Sequence, residues 1–218
     1  MSNSKGSPHR DGALNPLQRP MVRTDTWKDE LRTVAARPSR DSYRHGNLRA
    51  EAILAALDLV APHGHEALSL RRVADAVGVA HRSLYNHFSD REGLLDAVAE
   101  ESFLRLGHLL QAARTTDEYV GAYVRFALEN PRLYDLMKSR PHATMKLKPT
   151  LQAAVHVGIT EALRLFARPQ QTSEENRRAV MKVMVLLHGG IALHRAGILD
   201  VSDDTGFIEE LQAMIRAS

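Results

Sequence analysis

Residues 69–95 read SLRRVADAVGVAHRSLYNHFSDREGLL, and their punctuation decides the fold. Ser69 has a hydroxyl able to accept from the free backbone donors of a first helical turn. Leu70, Val73, Ala74 and Val77 then share one helical face. Gly78 fits a left-handed turn position, where a side chain would be strained. A second helix is predicted over Ala80–Phe88, burying Leu84 and Phe88 at i and i+4. Ser89 or Asp90 caps the next one, and Ser89-Asp90-Arg91-Glu92 has capping-box spacing. That helix continues through Leu94, Leu95, Val98 and Phe103 to about residue 112. Helix, glycine turn, helix is the geometry that offers its second helix to a major groove.

The positions left outside the core sharpen this reading. On the Ala80–Phe88 helix they are His81, Arg82, Ser83, Tyr85, Asn86 and His87, all able to donate hydrogen bonds and none acidic. A phosphate backbone repels carboxylates, so an acid-free face suits a polyanion. Arg71 and Arg72 add charge on the preceding helix, and Arg91 opens the following one. Taken singly, Tyr85 and His87 are a surface aromatic and a solvated histidine; Gly78 and the spacing together set them on one functional face.

Working outward, Leu48, Ala52, Ile53, Ala56, Leu57, Leu59 and Val60 give a helix at about 47–62, closed by Pro62 and Gly64. Residues 1–40, with Gly6, Pro8, Gly12, Pro16, Pro20 and Pro38, are expected to be a mostly disordered basic extension. Within them Trp27, Leu31 and Val34, with Thr26 as cap, predict a short helix at 27–36. Downstream, helices are predicted at 117–129, 131–139, 147–168, 174–196 and 204–216, with prolines at or near their ends. No stretch alternates as a strand does, so the fold class is all-α.

Composition bounds the function. The chain has 218 residues, a net charge of +3 and no cysteine, which excludes disulfides, thiolate metal sites and cysteine nucleophiles. Residues 1–50 hold ten basic and five acidic side chains, while the remainder is slightly acidic. No apolar run approaches the ~18 residues of a membrane helix, and Met1–Arg10 is polar, so a cytoplasmic protein without a membrane partner is expected.

The segment 69–95 resembles the DNA-binding signature of TetR-type transcriptional regulators. Val73-Ala74, Gly78-Val79, Leu84-Tyr85, His87-Phe88 and Leu94-Leu95 stand at that family's spacing, and the likeness reaches back to about Gly46. Ala80 stands where the family usually has Ser or Thr, which removes a cap and phosphate donor, and Arg91 stands where Lys is usual. The resemblance implies a head at 41–95, a connecting helix at 96–112, and a ligand-binding and dimerisation domain at 113–218. It implies a DNA face of Ser69, Arg71, Ala80, His81, Arg82, Ser83, Tyr85, Asn86, His87 and Arg91. Tyr85 and His87 match positions that hold the DNA backbone; Arg82 is best placed to pair with guanine. Arg44 and Arg49 are further phosphate or minor-groove candidates.

The later chain is similar to one branch of the family. Tyr123–Pro131 and Leu133–Met137 match its mid-domain pattern, and Leu187-His188-Gly189 its Trp-x-x-x-His-Gly motif, with Met184 at the Trp position. Tyr123, Phe126, Tyr134, Met137, Val155, Ile159, Met184 and His188 are the candidate pocket residues, mostly apolar as small-molecule sites are. The last two helices are expected to pack against their copies in a homodimer.

Other chemistries lack their motifs. His63 and His65 are two apart, and His188 and His194 six apart, so neither pair stacks on one helical face as metal ligands do. Glu100-Glu101, Asp203-Asp204 and Glu209-Glu210 are adjacent and point apart. No nucleophile elbow, phosphate loop or dinucleotide fingerprint is present. The sequence therefore predicts no enzyme, no metal and no cofactor. It predicts a ligand-responsive repressor that binds an inverted-repeat DNA operator and releases it to a small-molecule effector. The alternative is a helical small-molecule-binding or interaction protein whose DNA head is vestigial.

Overall fold

Ala52, Ile53, Ala56, Leu57 and Val60 are all buried on one face, and that face defines helix α1, Leu48–His63. A computed structural model describes residues 48–141 and 145–217. The basic extension at 1–40, the helix predicted at 27–36 and Arg44 lie outside the described residues. α1 runs through Pro62 instead of closing there, because a proline in the last turn removes only one ladder bond. Gly64, at φ 78, makes the exit, and a single 3-10 turn at His65–Ala67 that the periodicity does not reveal follows it.

Helix α2, Leu70–Val77, is capped as expected: Ser69 Oγ accepts from the Arg72 amide at 3.2 Å. Gly78 is left-handed at φ 71 and ψ 33, and the Val79 amide closes on the Ala74 carbonyl at 3.0 Å. Helix α3, His81–Leu84, is one turn long, shorter than the predicted Ala80–Phe88. Past Leu84 the chain continues as hydrogen-bonded turns, with the Phe88 amide donating to the Leu84 carbonyl at 2.9 Å. Phe88 must enter the core while Asp90, two residues on, is already extended as the next cap, so the helix has no room to continue.

Helix α4, Arg91–Gln111, starts from Asp90, whose carboxylate accepts from the Gly93 amide at 2.8 Å. The Ser89–Glu92 capping box does not form; Glu92 instead receives hydrogen bonds from Arg91 and Arg140. Among the described residues α5 (Thr116–Glu129), α6 (Pro131–Lys138), α7 (Pro149–Phe166), α8 (Ser173–Arg195) and α9 (Asp204–Arg216) follow. Pro131 and Pro149 stand at first helical positions, where a donor is not needed. Thr172 and Glu175 form a reciprocal capping box for α8. The described residues contain no strand, and the all-α reading holds.

Two cores result. One gathers Val60, Val73, Leu84 and Leu95 from α1 to α4 and is extended by Leu133 and Leu136 of α6. The other gathers Leu110, Val124, Leu187 and Phe207 from α4, α5, α8 and α9. α4 runs through both, and Phe103 packs against each. α7 lies along α4, its most extensive partner. Gly107 makes that approach possible, since a Cβ there would lie 2.7 Å from Val157 Cγ1. Among the described residues no helix is long and apolar enough to cross a membrane.

Candidate nucleic-acid interface and ligand cavity

The buried anchors of the helix-turn-helix leave a defined outer surface. Leu84 and Phe88 point inward, while Arg71, Ala80, His81, Arg82, Tyr85 and Asn86 are exposed and Ser69, Ser83 and His87 half-buried. Tyr85 is 50% exposed although it is a large aromatic, and His81 packs edge-on against it with ring centroids 5.1 Å apart. Arg49 sits over the Phe88 ring at 5.7 Å. The exposed DNA-face candidates thus lie on α2 and on the short α3 with the turns that flank it, where His81 and Tyr85 are in contact.

Arg91 is placed differently. Its Nε donates to the Leu68 carbonyl at 2.8 Å and its Nη2 to the His65 carbonyl at 2.7 Å, with Nη1 on Glu92 at 3.0 Å. Arg72 holds the same loop through the Ala67 carbonyl at 2.8 Å. Both guanidiniums thus order the 65–68 connection that feeds α2. The charge of Arg91 is visible in the sequence, and the structure adds its loop partners, which are distant in the chain.

The second site is a cavity of about 470 Å³ between α4, α5, α6, α7 and α8. Tyr123, Tyr134, Met137, Val155, Ile159, Met184 and His188 all line it. Phe126 does not. Three positions beyond Tyr123 it turns into the core, 2% exposed, with the Arg105 guanidinium 5.9 Å from its ring. Sequence reasoning missed Phe103, Leu106 and Leu110, whose spacing puts them on one face of α4. It also missed Tyr119, Lys138 and Arg140.

The polar centre of the cavity is His188. The Tyr134 hydroxyl lies 2.6 Å from its Nδ1 and the Tyr123 hydroxyl 3.3 Å from its Nε2. A neutral imidazole has one donor and one acceptor, so one tyrosine donates to the ring and the other accepts from it. Burial, and then the Lys138 charge, lower the His188 pKa and favour that neutral form. Burial pushes the Tyr134 phenol up to about 12 and holds the Tyr123 phenol well above its ordinary value. The Tyr119 hydroxyl donates to the Gly158 carbonyl at 3.2 Å. Around neutral pH the group is an uncharged hydrogen-bonding cluster in an apolar wall.

No three His, Asp or Glu side chains gather as a metal site would require among the described residues. His194 bonds Asp204 at 2.7 Å and stacks on Phe207 at 4.2 Å.

Comparison with known proteins matches residues 52–98 to the bacterial regulatory proteins of the tetR family, and residues 117–217 to a tetracyclin repressor-like C-terminal domain. An HTH-type transcriptional repressor, AcnR, from Corynebacterium glutamicum is 29% identical over 102 residues, covering 47% of this chain and 52% of that protein. The chain thus spans about half the length of that relative. The tetracycline repressor protein class A of transposon 1721, from Escherichia coli, is 28% identical over 171 residues and 76% of each chain. A solved structure of a protein of unknown function from Rhodococcus sp. RHA1 superposes with a TM-score of 0.66 at 29% identity, covering 80% of this chain and 96% of that one.

Proposed function

Because the chain belongs to the TetR family of bacterial regulatory proteins, we propose that it is a cytoplasmic, homodimeric, sequence-specific repressor that leaves its operator when a small molecule enters the cavity. In this reading 41–95 is the DNA head, 96–112 the connecting helix and 113–218 the regulatory body. The observation that carries it is the face around α3, where His81, Arg82, Tyr85 and Asn86 are exposed with no carboxylate among them. Arg82 reads a base edge; Tyr85, His87 and the Ser69 hydroxyl hold phosphates and fix register. No catalytic role belongs to the reading.

Dimerisation is supported by the outer faces of α8 and α9. Met181, Val185 and Leu193 on α8 and Met214 on α9 are 43–66% exposed, and Gly189 has open space above it. A lone exposed apolar residue is ordinary, but a row of them along one helix marks an interaction surface. Two heads related by a two-fold axis contact half-sites about one DNA turn apart, or a multiple of it.

The test is selection of bound duplexes from a random library with purified full-length protein at moderate salt. Recovery of an inverted repeat supports the reading. Recovery of single sites overturns the dimer, and recovery of nothing from protein stripped of small molecules overturns the DNA function.

A further inference from the structure

We propose that the cavity takes a hydrophobic monocarboxylate, whose carboxylate signals to the head by drawing Arg140 away from Glu92 and Asp96. The proposal rests on the effector-released reading above and names its ligand class and its trigger.

The lining has a definite charge. Its walls are aliphatic and aromatic, its hydroxyls and imidazole are neutral, and its charged members are Lys138 and Arg140, with no carboxylate among the lining residues. Lys138 is paired with Asp135 at 3.2 Å, which leaves Arg140 as the cation with a weakly bonded edge. Burying an anion without a cation is strongly unfavourable, whereas a carboxylate on an apolar body matches the Arg140 guanidinium beside an apolar wall. A cationic ligand would find no counter-charge there.

Arg140 is also the link to the head. It follows α6, its side chain is only 10% exposed, and its Nη1 donates to Glu92 at 2.8 Å and to Asp96 at 3.5 Å, both on α4. Glu92 is two residues past Asp90, the cap that ends the helix-turn-helix. Lys148 pairs with Asp96 as well, and Thr150 reaches Glu100 at 2.7 Å, so the head-end of α4 is clasped along its acidic side. The remaining edge of the Arg140 guanidinium, Nε and Nη2, donates to Ser139 Oγ at 3.3 and 3.1 Å. A hydroxyl is a weak partner for a fork that fits two carboxylate oxygens. A ligand carboxylate displaces it on that edge, and a guanidinium drawn toward the ligand lengthens the Nη1 bonds to Glu92 and Asp96. Linkage then fixes the signs: a ligand that prefers the unclasped state loosens the head, and loosening the clasp tightens the ligand.

The experiment titrates full-length protein with decanoate, 4-phenylbutyrate and 2-naphthoate, and with their methyl esters, by calorimetry. Wild type, R140Q and the pair E92Q/D96N are compared, and the retention of a selected operator duplex is followed in parallel. The expected result is that at least one acid binds wild type about tenfold more tightly than its ester, and that R140Q abolishes this preference. E92Q/D96N is expected to bind the acid several-fold more tightly, with the ester unchanged, an effect opposite in sign to structural damage. If R140Q does not fold, R140K, which keeps the charge without the fork, is expected to lose part of the preference. Equal binding of acids and esters, or no acid binding up to about 1 mM, overturns the ligand class. Unchanged or weaker acid binding by E92Q/D96N overturns the trigger. Absence of operator binding by ligand-free wild type overturns the repressor reading instead, while the calorimetry still decides the cavity.

Discussion

Arg91 Nε and the Leu68 carbonyl lie 2.8 Å apart across 23 residues of chain, so the first residue of α4 holds the loop that launches α2. The same guanidinium donates to the His65 carbonyl at 2.7 Å. A lysine keeps the charge yet cannot reach both acceptors in a planar fork. Arg91→Lys is therefore expected to lower stability by about 1 kcal/mol, with little change in the salt dependence of DNA binding. Urea denaturation and a salt titration of operator affinity separate the two roles. A variant as stable as wild type but with a shallower salt slope would return Arg91 to the phosphate contacts.

Arg82 and Tyr85 sit on the same exposed face and are expected to fail differently. Arg82→Ala should relax sequence preference by about 1–3 kcal/mol at one base pair of each half-site. Tyr85→Phe should weaken binding to all sequences alike, because a phosphate contact carries no base identity. Repeating the duplex selection with each variant reads both outcomes. An unchanged consensus with Arg82→Ala would move base reading elsewhere on the face.

The local signals in the sequence were enough for most of the fold. Ser69 and Gly78 mark both ends of α2 through groups that act within four residues, and the structure has both. Periodicity likewise marks the helices α4 to α9, since each buries a stripe at helical spacing. What was not legible depends on distance. The early end of α3 follows from the need to bring Phe88 into the core and Asp90 to its cap, and no propensity encodes that. In the cavity, Tyr123 and His188 could be named from family likeness, but Arg140 could not. Its partners Glu92 and Asp96 are more than 40 residues away, and only the packing of α6 against α4 joins them.

Gly107 tests the packing on which the cavity depends. A Cβ at that position would meet Val157 Cγ1 at 2.7 Å and Cβ at 3.0 Å, so α4 and α7 must part to admit alanine. Alanine gains about 1 kcal/mol of helix propensity, but overpacking costs typically about 1–3 kcal/mol. Gly107→Ala is accordingly expected to destabilise the fold, and Val157→Ala in the same chain to recover part of the loss. Thermal melts of the two single variants and the pair measure this. An alanine variant that is more stable than wild type would contradict the close approach.

Acidification should act on His188 before it acts on Glu92 and Asp135. Its pKa is held below the ordinary 6.5, by burial first and by Lys138 second, so the fold favours the neutral ring. Above pH 6.5 both folded and unfolded chains carry it neutral. As the pH falls below 6.5 the unfolded chain takes up the proton first, and stability declines until the folded value is passed. His188→Gln should flatten this limb. Glu92 and Asp135 are shifted down chiefly by hydrogen bonds from Arg140 and Arg195, so the stability they confer is lost only below about pH 4. Denaturant midpoints measured through both windows distinguish the groups. An identical slope between pH 6.5 and 5 in wild type and His188→Gln would show that the histidine is not desolvated.

Val185 is 66% exposed and Met181, one turn earlier on α8, 53% exposed, while Val183 between them is buried. The helix therefore has two apolar faces, one spent on the core and one directed outward. If the outward face is the contact between two copies, a carboxylate at its centre places two like charges in a desolvated interface across the two-fold axis. Val185→Glu is expected to give a folded monomer, since no core atom is touched, and to reduce operator affinity by about a hundredfold as the second half-site contact becomes a separate binding event. Sedimentation and circular dichroism measure assembly and fold separately, and operator titration measures the cost to binding. A Val185→Glu protein that stays dimeric with full affinity would move the dimer contact off α8. A monomer with undiminished affinity would instead sever dimerisation from DNA recognition.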